Sequence, residues 1–210
     1  MAANRAAYGV DNAEQLVDRY HVGRFTYFTR TNNTKNPGQI AALSNGIQRA
    51  AMHQRVAIPM LISTDQEQGL VNRIGPPFTQ FPGSMALGAS RQARSDAAEA
   101  AWVTGRELAA TGVNQNLAPV ADVNLNPRNP VIGVRSFGSD PSSVARLTVA
   151  QVTGLRRAGV VATAKHFPGH GDTTTDSHLQ LPVITHTRRQ VAVVDLPPFR
   201  AAIRHGVKPS

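Results

Sequence analysis

Arg157-Ala158-Gly159-Val160-Val161-Ala162-Thr163-Ala164-Lys165-His166 (RAGVVATAKH) holds a helix end, a strand and two polar groups at the strand's far end. Gly159 suits the left-handed cap that closes a helix. The run Val160–Ala164 is short, apolar and β-branched, which reads as a buried strand. Upstream, Asp140-Pro141 opens a helix through SSVARLTVAQVTGLRRA, with an N-cap carboxylate and Pro at the first helical position. The same Gly-Val device closes a helix at Ala110-Thr111-Gly112-Val113 and again at Arg204-His205-Gly206-Val207, after the helix-like PPFRAAIRHG.

Three more runs read as strands: Val22–Phe28 (VGRFTYF), Val56–Ser63 (VAIPMLIS) and Val113–Val120 (VNQNLAPV). Helical segments lie between them, one opened by Asn36-Pro37 and one by Ser95-Asp96, each pair supplying an N-cap residue. Alternation of this kind makes an α/β fold with a parallel sheet or barrel. A complete eight-stranded βα barrel takes about 250 residues. The expectation is therefore a TIM-type (β/α)8 barrel that is incomplete in this chain, with late strands missing and little before Val22 that reads as a first strand. Residues 1–210 are expected to form one partial barrel domain.

Composition narrows the function classes. The 210 residues are 41% hydrophobic and carry a formal charge of +9, enough apolar content for one substantial core. The 22 Lys and Arg residues are scattered, and no basic block interleaved with aromatics marks a nucleic-acid partner. No run approaches the roughly 20 apolar residues that span a bilayer. The start MAANRAAYGVDNAEQ lacks the layout of a secretory signal. A soluble protein of cytoplasm or exterior is expected; zero cysteines exclude disulfides and thiolate chemistry without choosing between the two.

In βα folds ligands bind beyond the carboxyl ends of the strands. Polar residues follow three of the runs: Thr64-Asp65-Gln66-Glu67, then Asp122 with Asn124 and Asn126, then Lys165 and His166. Any one of these reads as a cap or loop residue; three strands delivering charge to one face point to a site, because burial alone penalises such groups.

Lys165–His178 (KHFPGHGDTTTDSH) then offers three readings. As a metal site, His166, His170 and Asp172 supply zinc-type ligands, with His178 or Asp176 completing the shell. The Pro-Gly pair between His166 and His170 excludes the helical pair of a metalloprotease. As an acid/base device, Asp176 two residues from His178 can orient the imidazole and stabilise its protonated form. As a loop, the run is polar and glycine-rich. No G-x-S-x-G elbow of a serine hydrolase is present.

The stretch Lys165–His178 resembles the signature of glycoside hydrolase family 3, in particular its β-N-acetylhexosaminidases of the peptidoglycan-recycling type. Three segments follow the same family in order: Ser63–Arg73 (STDQEQGLVNR), Asn116–Val123 (NLAPVADV) and Val131–Gly138 (VIGVRSFG). The resemblance implies a βα barrel that removes terminal β-linked N-acetylglucosamine with retention, through a covalent glycosyl-enzyme and without a cofactor or metal. It implies His178 as general acid/base with Asp176 as its partner, a departure from the carboxylate pair of most retaining glycosidases. It implies Asp65, Arg73, Arg135, Lys165 and His166 as sugar-binding residues, His170 as structural, and muropeptides or chitooligosaccharides as partners.

The chain departs from the family pattern in three places. Gln68 stands where the first of two glycines is usual, which predicts a strained turn behind Asp65. Arg24 puts a charge into a normally apolar strand. The family's nucleophilic Asp sits on a late strand, and no aspartate after His178 fits that role; Asp195, before Leu196-Pro197-Pro198, reads as an N-cap. The expectation is a fragment with acid/base machinery and no nucleophile, weak in hydrolysis by itself and poorly soluble. The rival expectation is a non-catalytic amino-sugar-binding fragment.

Overall fold

The computed structural model describes residues 2–176 and 179–206. Two helices lead, α1 (Ala2–Tyr8) and α2 (Ala13–Tyr20), and no strand precedes Arg24 among the described residues. The sheet then builds by alternation: β1 (Arg24–Tyr27), α3 (Pro37–Met52) and β2 (Leu61–Thr64). A small hairpin follows, β3 (Gln66–Gln68) with β4 (Val71–Asn72), then α4 (Ser84–Gly88) and α5 (Ala93–Ala110). Next come β5 (Gln115–Asn116), α6 (Pro141–Arg157) and β6 (Val161–Ala162). The chain ends in a short turn α7 (Arg188–Gln190), a π-helical turn Val191–Asp195, and α8 (Leu196–Arg204).

The main sheet runs β1-β2-β5-β6, all parallel, so each strand lies beside its predecessor. Sequential parallel order with a helix on each crossover belongs to the βα barrel rather than to a doubly wound sheet. The four strands do not close on themselves among the described residues. The fold class is therefore the α/β one expected, as an open barrel segment.

Each strand is shorter than its apolar run. Val56–Met60 lie outside β2, and only Gln115–Asn116 and Val161–Ala162 of their runs form regular ladder. Side chains extend the pairing where the ladder stops. The Asn114 amide accepts from Ile62 N at 2.8 Å and donates to Met60 O at 2.9 Å, doing the work of a backbone unit. One parallel bridge, Val120 to Lys165, carries the pairing to the carboxyl ends.

Two helix starts agree with the sequence: Asn36 accepts from Gln39 N and Asp140 from Ser143 N. Two do not. α5 begins at Ala93, ahead of Ser95-Asp96, and Asp96 instead accepts from Ser90 Oγ at 2.5 Å. Asp195 has helical backbone angles and caps nothing, because α8 continues from the π-helical turn without a break. Gly112, Gly159 and Gly206 take φ of +77°, +80° and +96°, the left-handed closures their positions call for.

The core lies between sheet and helices, with Ile40, Ile47, Ile62, Leu108, Leu155 and Val160 among its buried members. A second cluster, Leu87, Ala97, Val123, Phe137, Val144 and Leu147, joins α4, α5 and α6 to the loop after β5. An apolar recess of about 370 Å³ sits at the amino ends of β1 and β2, lined by Val17, Val22, Ile58, Pro59 and Met60. Arg24 opens β1 and is exposed, so its charge does not enter the core. No described helix is long and apolar enough to cross a membrane.

α5 and α6 approach closely through Gly154, where a Cβ would strike the Ala98 carbonyl and sit 2.9 Å from Trp102 N. Both obstacles are backbone, which cannot swing aside. Gly154→Ala is expected to destabilise the chain by about 1–3 kcal/mol, despite Ala being the better helix former; urea denaturation measures it.

Candidate functional site

The charged side chains meet at the carboxyl ends of the strands because the backbone there is fixed by pairing and by one buried asparagine. Asn116 lies on β5, and its amide accepts from Gln66 N at 3.0 Å and donates to Gln66 O at 2.9 Å. This clasp holds the turn that presents Asp65 on one side of Gln66 and Glu67 on the other. Lys165 is placed by N–H donation to Pro119 O at 3.0 Å and by accepting from Ala121 N at 2.6 Å. Arg135 closes a 3₁₀ turn, Gly133–Arg135, and donates Nη1 to Val131 O at 3.0 Å.

From those anchors the cluster assembles. Lys165 Nζ lies 2.5 Å from Asp65 Oδ1 and 2.6 Å from Glu67 Oε1. Arg135 grips Glu67 in a two-pronged contact, Nε to Oε2 and Nη2 to Oε1, both 2.8 Å. The planar guanidinium matches the carboxylate edge to edge. Arg73 approaches Asp65 Oδ2 at 4.0 Å while its guanidinium lies over the Phe28 ring. Burial pushes the Glu67 carboxyl up, yet the Arg135 hydrogen bonds and the Lys165 charge outweigh it, so Glu67 titrates below its ordinary value. Burial works against the Arg135 charge and the Glu67 contact more than restores it.

His166 stands beside this group. Its Nδ1 is 2.6 Å from Asp122 Oδ2, and its Nε2 is 3.4 Å from Arg135 Nη2. Asp122 is wholly buried and also accepts at Oδ1 from the backbone N–H of His166 and of His170. A neutral imidazole that donates at Nδ1 leaves Nε2 as an acceptor for Arg135. His170 is nearly enclosed, and burial holds its imidazole below the ordinary histidine range. Its ring meets that of His166 edge-on at 5.9 Å.

The loop after His166 is fastened to the segment beyond β5. Asn129 donates to His170 O and Asn126 to Thr173 O, both at 2.9 Å. Gly171 packs against the Val123 carbonyl so closely that no Cβ would fit. Asp176 closes the described part of this loop, near enough to His170 for its charge to act on that imidazole. Its expected partner His178 lies outside the described residues.

Asp65, Arg73, Arg135, Lys165 and His166 are thus brought together as one cluster. Sequence reasoning counted Glu67 and Asp122 among the post-strand charges but gave neither a role, although these two carboxylates organise the cluster. It left out His186, whose ring lies between Asp195 and Asp172; the π-helical turn Val191–Asp195 that brings Asp195 to it has no sequence signal. That contact is what Asp195 makes in place of the N-cap role. The glycine departure is visible too, since Gln68 takes φ of +72°. Its side chain is anchored, accepting from Phe81 N and donating to Thr104 Oγ1. Among the described residues no three His, Asp or Glu side chains converge as metal ligands.

The family model for the glycosyl hydrolase family 3 N-terminal domain matches residues 7–209. The chain belongs to glycoside hydrolase family 3. A β-hexosaminidase A of Pseudoalteromonas piscicida is 43% identical over 90% of this chain and 32% of its own length. A family 3 β-N-acetylglucosaminidase of Paenibacillus sp. str. FPU-7 superposes with a TM-score of 0.89 at 48% identity, over 94% of this chain and 37% of that one. NagZ of Neisseria gonorrhoeae, in complex with N-trifluoroacetyl-D-glucosamine, gives 0.85 at 32% identity over 93% of this chain and 57% of that one. The chain spans a third to a little over half of these relatives. Its family 3 segment thus holds the charged cluster preassembled, with Asp65, Lys165, His166 and Arg73 partly open to solvent and Glu67 beneath them.

Glu67→Ala leaves Lys165 and Arg135 facing each other without their shared carboxylate, an outcome that costs about 3 kcal/mol when a buried pair is broken. The lowered carboxylate contributes stability that is complete above its unfolded-state value and lost as pH falls through the folded one. Thermal melts should therefore show the variant far less stable than the native chain at pH 7 and nearly equal to it in acid.

Proposed function

We propose that residues 1–210 form part of the catalytic barrel domain of a β-N-acetylhexosaminidase, which removes terminal β-linked N-acetylglucosamine with retention of configuration. The observation that carries this reading is the convergence of Asp65, Arg73, Arg135, Lys165 and His166 at the carboxyl ends of successive parallel strands, where a βα barrel binds its ligand. Its likeness to a β-hexosaminidase and to a β-N-acetylglucosaminidase of the same family supports the amino-sugar specificity.

In this reading Asp65 accepts hydrogen bonds from sugar hydroxyls through Oδ2, which Arg73 approaches only to 4.0 Å, while the ammonium of Lys165 and the guanidinium of Arg73 donate to ring oxygens and hydroxyls. Arg135 and His166 border the same shelf and confine the sugar. His178 delivers a proton to the departing glycosidic oxygen, and Asp176 orients it and supports its charged form. Water then gives a proton back to His178 as it releases the sugar. Retention needs a carboxylate nucleophile on the opposite face of the ring, and no residue of this chain is assigned that role. Muropeptides and chitooligosaccharides both present the required terminal residue.

Calorimetry on the 210-residue chain tests the shelf: N-acetylglucosamine is expected to bind, and Asp65→Ala or Lys165→Met to weaken it at least about tenfold, the loss of one or two charged hydrogen bonds. Equal affinity in the native chain and both variants would remove these residues from the site. In a protein that joins this chain to a complete barrel, Asp176→Asn is expected to lower kcat for 4-nitrophenyl N-acetyl-β-glucosaminide by about 10²–10⁴, with KM little altered.

A further inference from the structure

Outside the charged cluster, three titratable groups meet, two of them buried, with no part in the sugar shelf. His186 Nδ1 lies 2.7 Å from Asp195 Oδ2, and its Nε2 lies 3.0 Å from Asp172 Oδ2. The His186 and Asp195 side chains are each 7% exposed, and Asp172 is 36% exposed. A carboxylate accepts and does not donate, and a neutral imidazole has one N–H. Both contacts are satisfied together only by the imidazolium; in the neutral ring one nitrogen turns a lone pair on a carboxylate.

The three groups come from separate parts of the chain. Asp172 is on the loop after β6, His186 on the segment that leads into α7, and Asp195 at the end of the π-helical turn. Such a turn carries an extra residue per cycle and often re-aims a side chain at a functional place. The same loop touches the same helix twice more: the Phe167 ring packs edge-on to Phe199 at 5.4 Å, and a Cβ on Gly169 would sit 2.9 Å from that of Asp195. On its other side the loop is held by the Asn126 and Asn129 amides and by the buried Asp122 carboxylate, which accepts from His170 N–H; the His170 imidazole there is held below its ordinary value by burial, on the opposite side of that value from His186.

We propose that His186 is a positioning residue that, when protonated, latches the loop of residues 169–176 to the π-helical turn through Asp172 and Asp195, and releases that side of the loop on deprotonation. Its bearing on catalysis rests on the assignment of Asp176 as an acid/base partner; the latch itself does not. The charged groups facing the ring among the described residues are Asp172 from the loop and Asp195 from the turn, while Arg188 and Arg189 of its own segment are exposed. The Asp195 hydrogen bond, ahead of the opposing effect of burial and the further Asp172 contact, raises the His186 imidazole above its ordinary value. Stabilisation by a raised group is complete below the unfolded-state value and is lost as pH rises through the folded one.

Hydrogen–deuterium exchange on the 210-residue chain reads the latch, with rates corrected for intrinsic chemistry and α5 as internal reference. Between pH 5.5 and 9, protection of residues 169–176 is expected to fall by up to about tenfold per pH unit above the folded value, the limit for one linked proton, while α5 protection holds. Asp172→Asn removes only the loop's partially exposed carboxylate and should abolish the step. His186→Gln should give the low, pH-independent protection throughout; if it fails to fold, Asp172→Asn carries the test. A flat profile in the native chain, or an unchanged step in Asp172→Asn, overturns the latch. Exchange needs no sugar, so absent sugar binding alongside a full step would sink the functional reading and leave the latch standing.

Discussion

The Lys165 ammonium, 2.5 Å from Asp65 and 2.6 Å from Glu67, joins the end of β6 to the turn that leaves β2. Without it, two carboxylates separated by a single residue would lose the cation they share, leaving Glu67 with Arg135 alone and Asp65 with Arg73 at 4.0 Å. With it, and with Arg135 closing on Glu67 from the far side, the Glu67 carboxyl titrates below its ordinary value despite its burial. Asp65 then has Oδ1 committed to Lys165 and Oδ2 4.0 Å from Arg73 Nε. The cluster is organised before any ligand arrives, so the cost of gathering like charges is met by folding rather than by binding. The division of labour follows from depth: Glu67, almost fully buried, fixes the two cations, and Asp65 above it faces outward.

This arrangement explains which parts of the molecule were legible in the sequence. Glycine closures at Gly112 and Gly159 and caps at Asn36 and Asp140 are local events, decided by a residue and its neighbours within a turn, and they stand where the sequence put them. The strands were legible as apolar runs but not in extent, because at Asn114 and Asn116 side-chain amides replace backbone partners and the regular ladder stops early. α5 begins ahead of its expected cap since Asp96 is bonded to Ser90, a choice that local propensity does not register.

Long-range pairings were the unreadable part. Glu67 and Arg135 are 68 residues apart, and Asp122 and His166 44 apart, so the sequence could place the post-strand charges on one face but not say which pairs with which. The family segments contain Arg135 and His166 and also their carboxylates Glu67 and Asp122, but only the folded chain shows the pairs. His186 and Asp195 were missed for the opposite reason: they sit close in sequence, but the π-helical turn aims Asp195 inward where a capping position would have aimed it at the backbone.

The two ends of the sheet therefore differ in kind, and the βα architecture makes them differ. At the amino ends, Val22, Ile58 and Met60 surround a mainly apolar recess with Arg55 at its lining, and no charged cluster forms there among the described residues. At the carboxyl ends, chain leaving each strand has no helix to cover it at once, so polar side chains can be held there by partners from neighbouring strands. Holding them demands close backbone approach, which is why Gly171 lies directly against the Val123 carbonyl and Gly169 against Asp195. The loop from Phe167 to Asp176 is thus shaped by contacts on both flanks, amides toward Asn126 and Asn129 and an imidazole toward Asp195. The His170 imidazole on one flank is held below the ordinary histidine value and His186 on the other above it, so a rise in pH can tilt the loop at the His186 flank without dissolving the cluster beneath it.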